Sequence, residues 1–316
     1  MNSGYSVQLI SPEEKEKLYQ RYEDRLLYTN KAEIYGCCVK VLTEIEQVKN
    51  KWEDNFYSMS ESVRSHGRLI VMYPPGEPLH VKYDPYTKTA FLINVDYYGW
   101  IKSVALAVAS DILEDEHRIY SVHGAAIDVG IGISIIAPSN TGKSTHTWGL
   151  VQLPNARLIS DDWYFVRLSN REPLVFSSEK NWYIDAADIG KIWKEFENLS
   201  EMAHRDQKGR AIVNARWVVG AGGVIPMGTI QKIILLKRDT ADKNIAAHCT
   251  LNEALTFLLG HNFCNPHQLV KDERKIALRT SFFRNYLEKA DIYLVNTAGT
   301  PQDTQNEIQK IIFNKK

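Results

Sequence analysis

The segment Gly132-Ile-Ser-Ile-Ile-Ala-Pro-Ser-Asn-Thr-Gly-Lys-Ser-Thr145 constrains this chain more than any other. Ile133, Ile135 and Ile136 make a short apolar run of the kind a buried parallel strand shows. The run stops at Ala137-Pro138. Ser139-Asn140-Thr141-Gly142-Lys143-Ser144 then reads as a phosphate-binding loop, with a helix expected from Thr145. In such a loop, successive backbone N–H groups turn inward around phosphate oxygens, and the following helix N-terminus adds positive potential. Ser139 to Thr145 are therefore the expected nucleotide-binding residues. Lys143 would reach the β- and γ-phosphates, and the Ser144 hydroxyl would sit on Mg²⁺. The pattern G-x-x-x-x-G-K-[ST] is met everywhere except its first position, where Ala137 stands for Gly, and Ala does not enter positive φ freely.

The 38 basic and 38 acidic side chains among 316 residues cancel, so no broad basic field draws nucleic acid or an anionic membrane. The N-terminal Met-Asn-Ser-Gly-Tyr-Ser has no charged and apolar leader pattern, and no apolar run approaches the about 20 residues of a membrane span. The four cysteines, Cys37, Cys38, Cys249 and Cys264, show no C-x-x-C spacing. Cys37-Cys38 reads as two faces of one strand. The expectation is a cytoplasmic protein in a reducing compartment.

Along the chain, Ser11-Pro-Glu-Glu opens a solvated helix. Ile34 to Val41 reads as one strand, Glu44 to Phe56 as helix and Leu69 to Tyr73 as a strand. Leu79–Tyr83 and Thr89–Val95 read as antiparallel strands around the turn Asp84-Pro-Tyr-Thr-Lys88. Residues 1–97 are thus a small α+β region of their own. From Trp100 the period changes: Ile101, Val104, Ala105, Val108 and Ile112 recur at helical spacing and predict an amphipathic helix. A strand over Tyr120–Val129, the central strand and loop, and strands at Arg157–Ser160 and Trp163–Leu168 follow. Lys180–Ile184 reads as a strand and Ala186–Phe196 as a helix. Met202 to Arg216 has little periodicity, and Gly220-Ala-Gly-Gly223 reads as a flexible break. Ile230–Leu236 is a core strand, Asn252–Leu259 and Ser281–Lys289 are helices, and Asp291–Asn296 is a last strand before a helix from Gln302.

Asp161-Asp162 is the second anchor, at the end of the strand Arg157-Leu-Ile-Ser160. Adjacent carboxylates repel unless a cation lies near them, and an acid at a neighbouring strand end completes the Mg²⁺ site of nucleotide kinases. His123-Gly124 is the third, on the strand before the loop strand and so within reach of the same crevice.

The order Val-His123-Gly, Ser139-Asn-Thr-Gly-Lys-Ser144, Arg157-Leu-Ile-Ser-Asp161-Asp162 resembles the catalytic domain of HPr kinase/phosphorylase. More loosely, it resembles the phosphoenolpyruvate carboxykinases that share that fold. The resemblance covers about residues 100 to 240 and implies an α/β P-loop kinase domain over residues 98–316. It further implies Lys143 on phosphate, Ser144 and Asp162 on Mg²⁺, and Asp161 as general base oriented by His123. Arg210 or Arg216 would stabilise transferred charge. The Arg-Gly-rich segment of that family has only a distant version here, Arg216-Trp-Val-Val-Gly220, which weakens the implication of a reverse reaction and of HPr as acceptor.

The expectation is ATP-dependent transfer of a phosphoryl group to a hydroxyl of a small molecule, or to a Ser of a protein or peptide. The partners are a nucleotide (ATP or another) and an unidentified acceptor, with neither nucleic acid nor membrane; the family resemblance also implies a homo-oligomer. Two other readings stand beside it, a phosphoenolpyruvate carboxykinase-type enzyme and a non-catalytic nucleotide-binding regulator. Trp163, Trp182, Tyr183 and Trp217 are candidate acceptor-pocket aromatics.

Overall fold

In a computed structural model, residues 4–184, 186–198, 204–205 and 209–313 are described. The protein is mixed α/β, with nine α-helices among those residues and sheets that hold both parallel and antiparallel pairs.

The first sheet has seven strands, in the order β1 (Val7–Leu9), β6 (His80–Asp84), β7 (Thr89–Ile93), β5 (Gly67–Met72), β3 (Cys37–Thr43), β2 (Tyr28–Ile34) and β4 (Tyr57–Ser58). The single strand expected over Ile34–Val41 is instead a hairpin. Tyr35 and Gly36 both take left-handed φ, 50° and 75°, which suits a two-residue turn between β2 and β3. The β6–β7 hairpin forms as its turn chemistry predicts, with the Asp84 carboxylate accepting from the Tyr86 N–H and the Thr87 hydroxyl. Helix α1 (Pro12–Tyr22) is capped by Ser11, and α2 is Glu46–Asn55. All four cysteines are buried and free.

Helix α3 (Tyr98–Ile112) departs from the amphipathic expectation. Its apolar residues pack against the first sheet, but Lys102, Ser103, Ser110 and Asp111 are buried as well. Each of these polar groups has a partner. Ser103 and Ser110 bond back to the carbonyls four residues earlier, Lys102 meets Glu179, and Asp111 meets Tyr83, Lys88 and Lys275. Buried charge is tolerated where it is paired. The helix thus lies between both halves of the molecule, and Trp163, Phe165, Leu269 and Val270 of the later chain join its core.

The second sheet runs β16 (Met227–Thr229), β12 (Leu174–Ser177), β11 (Trp163–Arg167), β8 (Tyr120–Asp128), β9 (Gly132–Ile136), β17 (Lys232–Lys237), β19 (Asp291–Asn296) and β18 (Ala246–His248). A further strand, β10 (Arg157–Ser160), also pairs with β8. The expected parallel character of β9 holds on one side only: it is parallel to β17 and antiparallel to β8. A small third sheet joins β13 (Asn181–Ile184), β15 (Ala211–Asn214) and β14 (His204–Arg205). The segment read as aperiodic therefore holds a strand, and helix α6 (Ala215–Val219) follows it. Met202 and Lys208 lie outside the described residues.

Helix α4 (Lys143–Val151) starts at Lys143 rather than Thr145, and α5 is Ala186–Ile192. Helix α7 (Leu251–Gly260) carries a Thr250/Glu253 capping box. Helix α8 (Glu273–Leu287) starts eight residues before the expected Ser281, capped by Asp272. Its first turns are charged, but Lys275 and Arg279 turn inward to Asp111, Asp115 and Glu114. Helix α9 is Pro301–Phe313. Among the described residues no helix is long and apolar enough to cross a membrane.

Candidate active site

Strands β9, β17 and β19 are parallel, so Ile136, Lys237 and Asn296 end at one edge of the sheet. Ligands of α/β sheets bind beyond such carboxyl ends. The phosphate-loop candidate leaves β9 there. Asn140 takes φ 64° and Gly142 takes φ 95°, the left-handed conformation that Gly enters without cost. Ala137 is buried and is not among the positive-φ residues, so the missing first Gly imposes no strain. The Thr141 hydroxyl donates to the Pro138 carbonyl at 2.6 Å, and the Thr297 hydroxyl donates to the Thr141 carbonyl at 2.8 Å. Thr297 sits beyond β19 and ties the loop to it. Gly142 is the cap residue of α4 with no side-chain cap bond, which leaves the first-turn N–H groups to a ligand.

Pairing within the sheet explains how the other two motifs arrive. Both β10 and β11 pair with β8, and the Asp161-Asp162 bend between them lies opposite Gly124. The Gly124 N–H donates to the Asp162 carbonyl at 2.9 Å, and Trp163 stands in register with His123. Asp162 is the meeting point. Lys143 Nζ is 2.6 Å from its Oδ1, His123 Nε2 is 3.3 Å from the same oxygen, and Lys102 Nζ is 3.5 Å from Oδ2. Lys143 also donates to the Asp161 carbonyl at 3.1 Å, and His123 Nδ1 lies 2.7 Å from the Cys264 carbonyl.

The two carboxyl groups are driven apart. Burial would raise Asp162, but Lys143, His123 and Lys102 outweigh it and hold the group well below the usual carboxylate range. Asp161 is 3% exposed; burial and then the Asp162 charge push it up to about 8. Lys102 is buried on Glu179, 2.9 Å away, with its ammonium 5.0 Å from the Tyr183 ring centre. Burial would lower its pKa, but Glu179 and Asp162 raise it above the usual lysine value.

These groups share a cleft of about 530 Å³. Ser139, Asn140, Gly142, Lys143, Ser144 and Thr145 line it, as do His123, Asp161, Asp162 and Arg210. Thr141 serves through its loop bonds instead. Arg210 lies over the rings of Tyr97 and Tyr183, at 5.2 and 5.8 Å, and burial lowers its pKa. Two expectations need correction. His123 contacts Asp162, not Asp161, because Asp162 is the residue set against β8. Arg216 is not brought to the cleft: it is exposed at the start of α6 and donates to the Tyr57 hydroxyl at 2.7 Å. Of the candidate acceptor aromatics, Tyr183 lines the cleft, Trp163 and Trp182 are core, and Trp217 is 85% exposed.

Lys102, Arg238, His267, Tyr97 and Trp100 also line the cleft and were not singled out from sequence. Lys102 sits inside an apolar helical repeat, where the buried cation is its only signal. Among the described residues no three His, Cys, Asp or Glu side chains cluster as a metal site. A Mg²⁺ held by one hydroxyl, one carboxylate and phosphate oxygens needs no such cluster. Ser144 and Asp162 fit that donor set. No protein-family model matches the chain, and no curated protein matches it.

Proposed function

We propose that the protein is an ATP-dependent kinase, with a P-loop catalytic domain of the HPr kinase type over residues 98–316 behind the α+β region of residues 1–97. It transfers the γ-phosphoryl group to a hydroxyl of a small molecule, or of a Ser in a protein or peptide. The observation that carries this reading is the convergence on one carboxylate. Lys143 from the loop and His123 from β8 both reach Asp162 Oδ1, so three motifs separated in sequence form one site.

The loop backbone and the α4 N-terminus bind the nucleotide phosphates, and Lys143 leaves Asp162 to neutralise the β- and γ-oxygens. Ser144 and the freed Asp162 carboxylate would hold Mg²⁺, which supplies charge neutralisation at the transferring group. Asp161 takes the acceptor proton. A carboxyl pushed up to about 8 matches a base working near neutral pH far better than an ordinary aspartate. The acceptor oxygen bonds to the γ-phosphorus as the bond to the bridging oxygen breaks, and ADP leaves with that electron pair. Arg210, fixed by Tyr97 and Tyr183, faces the cleft to steady the developing charge.

The test uses γ-labelled ATP and Mg²⁺ with a panel of hydroxylated metabolites and Ser-containing peptides. Label should move to a hydroxyl acceptor, and Asp161→Asn should slow transfer by about 10²-fold or more. Oxaloacetate-dependent decarboxylation without transfer would favour a carboxykinase. Nucleotide binding without transfer to any acceptor would favour a regulator.

A further inference from the structure

His267 lines the cleft and has no role in this scheme. His267 closes a segment whose backbone is costly: Asn262, Phe263 and Cys264 are all left-handed, with φ of 50°, 53° and 55°. Such residues cost on the order of 1–3 kcal/mol each and persist where the surroundings over-determine them. This segment delivers two groups to the site. The Cys264 carbonyl receives His123 Nδ1, and the His267 ring lines the cleft.

The ring is held on several sides. Tyr5 stacks on it at 5.8 Å and 27°, Trp163 is tilted against it at 6.4 Å, and His123 stands edge-on at 6.2 Å. Its backbone N–H donates to Asn265 Oδ1 at 3.0 Å. His267 Nδ1 lies 2.8 Å from the Tyr5 hydroxyl, across 262 residues of chain. Among the described residues Nε2 has no hydrogen-bond partner. Tyr5 in turn packs edge-on against Trp100, another cleft residue, at 5.7 Å. The contacts run Lys143, Asp162, His123, His267, Tyr5, Trp100, with the His123 ring between Asp162 and His267.

Burial and the neighbouring His123 push His267 down to about 3, so the ring is neutral. Burial raises the Tyr5 phenol, which keeps its proton. A phenol that donates to Nδ1 puts the imidazole proton on Nε2.

Resting on the kinase reading, we propose that His267 is a second imidazole of this site, donating from Nε2 to the acceptor oxygen, with Tyr5 as the residue that positions it. The segment that carries Tyr5 would then be part of the catalytic cleft. The hydroxyl proton still goes to Asp161; His267 supplies a neutral donor that orients the oxygen.

The test is nitrogen NMR of the full chain labelled with ¹⁵N-histidine, using His267→Gln to assign the signals. In the nucleotide-free wild type at pH 7, His267 should show a pyrrole-type Nε2 and a pyridine-type Nδ1. Tyr5→Phe should lose that single tautomer. Adding Mg·ADP with fluoroaluminate, which places a water in line as acceptor, should shift the Nε2 signal. In ATP hydrolysis, His267→Ala should lower kcat about tenfold with KM for Mg·ATP unchanged, and His267→Gln should keep most of the rate. An Nδ1–H tautomer overturns the proposal. So does an unmoved Nε2 signal in a complex whose formation calorimetry confirms. If calorimetry finds no Mg·ADP binding, the kinase reading fails instead, and the nucleotide-free tautomer still decides the Tyr5–His267 arrangement.

Discussion

Glu179→Gln probes the electrostatics of the site without touching a phosphate-binding or reacting group. Glu179 is 2% exposed at its side chain and Lys102 is 4% exposed, with 2.9 Å between them. At an effective dielectric of about 20, a 2.9 Å ion pair has a Coulomb energy of about 6 kcal/mol. Part of that offsets the cost of taking both ions out of water. Removing one partner of a buried pair typically costs 3–5 kcal/mol, because the other charge stays behind. Lys102 retains Asp162 at 3.5 Å, and a Gln can still pair with Asn55, so about 3 kcal/mol is expected. The folded-state pKa of Lys102 is raised, so its stabilisation is fully present below the ordinary lysine value and is lost only as pH rises above it. The penalty should therefore be the same at pH 5 and pH 6, where Lys102 is charged and Asp161, which Glu179 also helps to raise, keeps its proton. Urea unfolding followed by tryptophan fluorescence measures it. A variant within about 1 kcal/mol of wild type would show that the pair does not hold α3 against the second sheet.

Two further perturbations follow from the same geometry. Asp161 is raised when folded, so between about pH 4 and 8 the folded state keeps a proton that the unfolded state has released. Its contribution to stability falls as pH rises through that window, and Asp161→Asn should gain on wild type in urea unfolding between pH 5 and pH 8; parallel pH profiles would refute the burial argument. Gly142→Ala forces an L-residue to φ 95°, with its Cβ merely touching His146, so strain rather than collision should cost about 1–2 kcal/mol and weaken nucleotide binding. Unchanged calorimetric affinity would show that the loop does not need this conformation.

What the sequence made legible was local. The apolar run of β9, the Gly-Lys-Ser turn, the Asp84 turn and the helix start at Ser11 are short-range chemistry. Elements failed where long-range contacts decided. The helix over Glu273–Leu287 hides its first turns behind charges, because Lys275 and Arg279 are paid for by acids on α3 and the segment after it. Arg210 and Arg216 looked equivalent, but β15 and α6 send them to different faces. Lys102, His267 and Tyr5 gave no motif; their partners lie 77 and 262 residues away, and only the fold brings them together.

Titration calorimetry of Mg·ATP into the wild type and Lys143→Ala tests the central claim most directly. Charge-assisted hydrogen bonds contribute about 1.5–3 kcal/mol, so the substitution should weaken Mg²⁺-dependent binding roughly 10- to 150-fold. Equal affinity in the two proteins, or no Mg·ATP binding by the wild type, would contradict it.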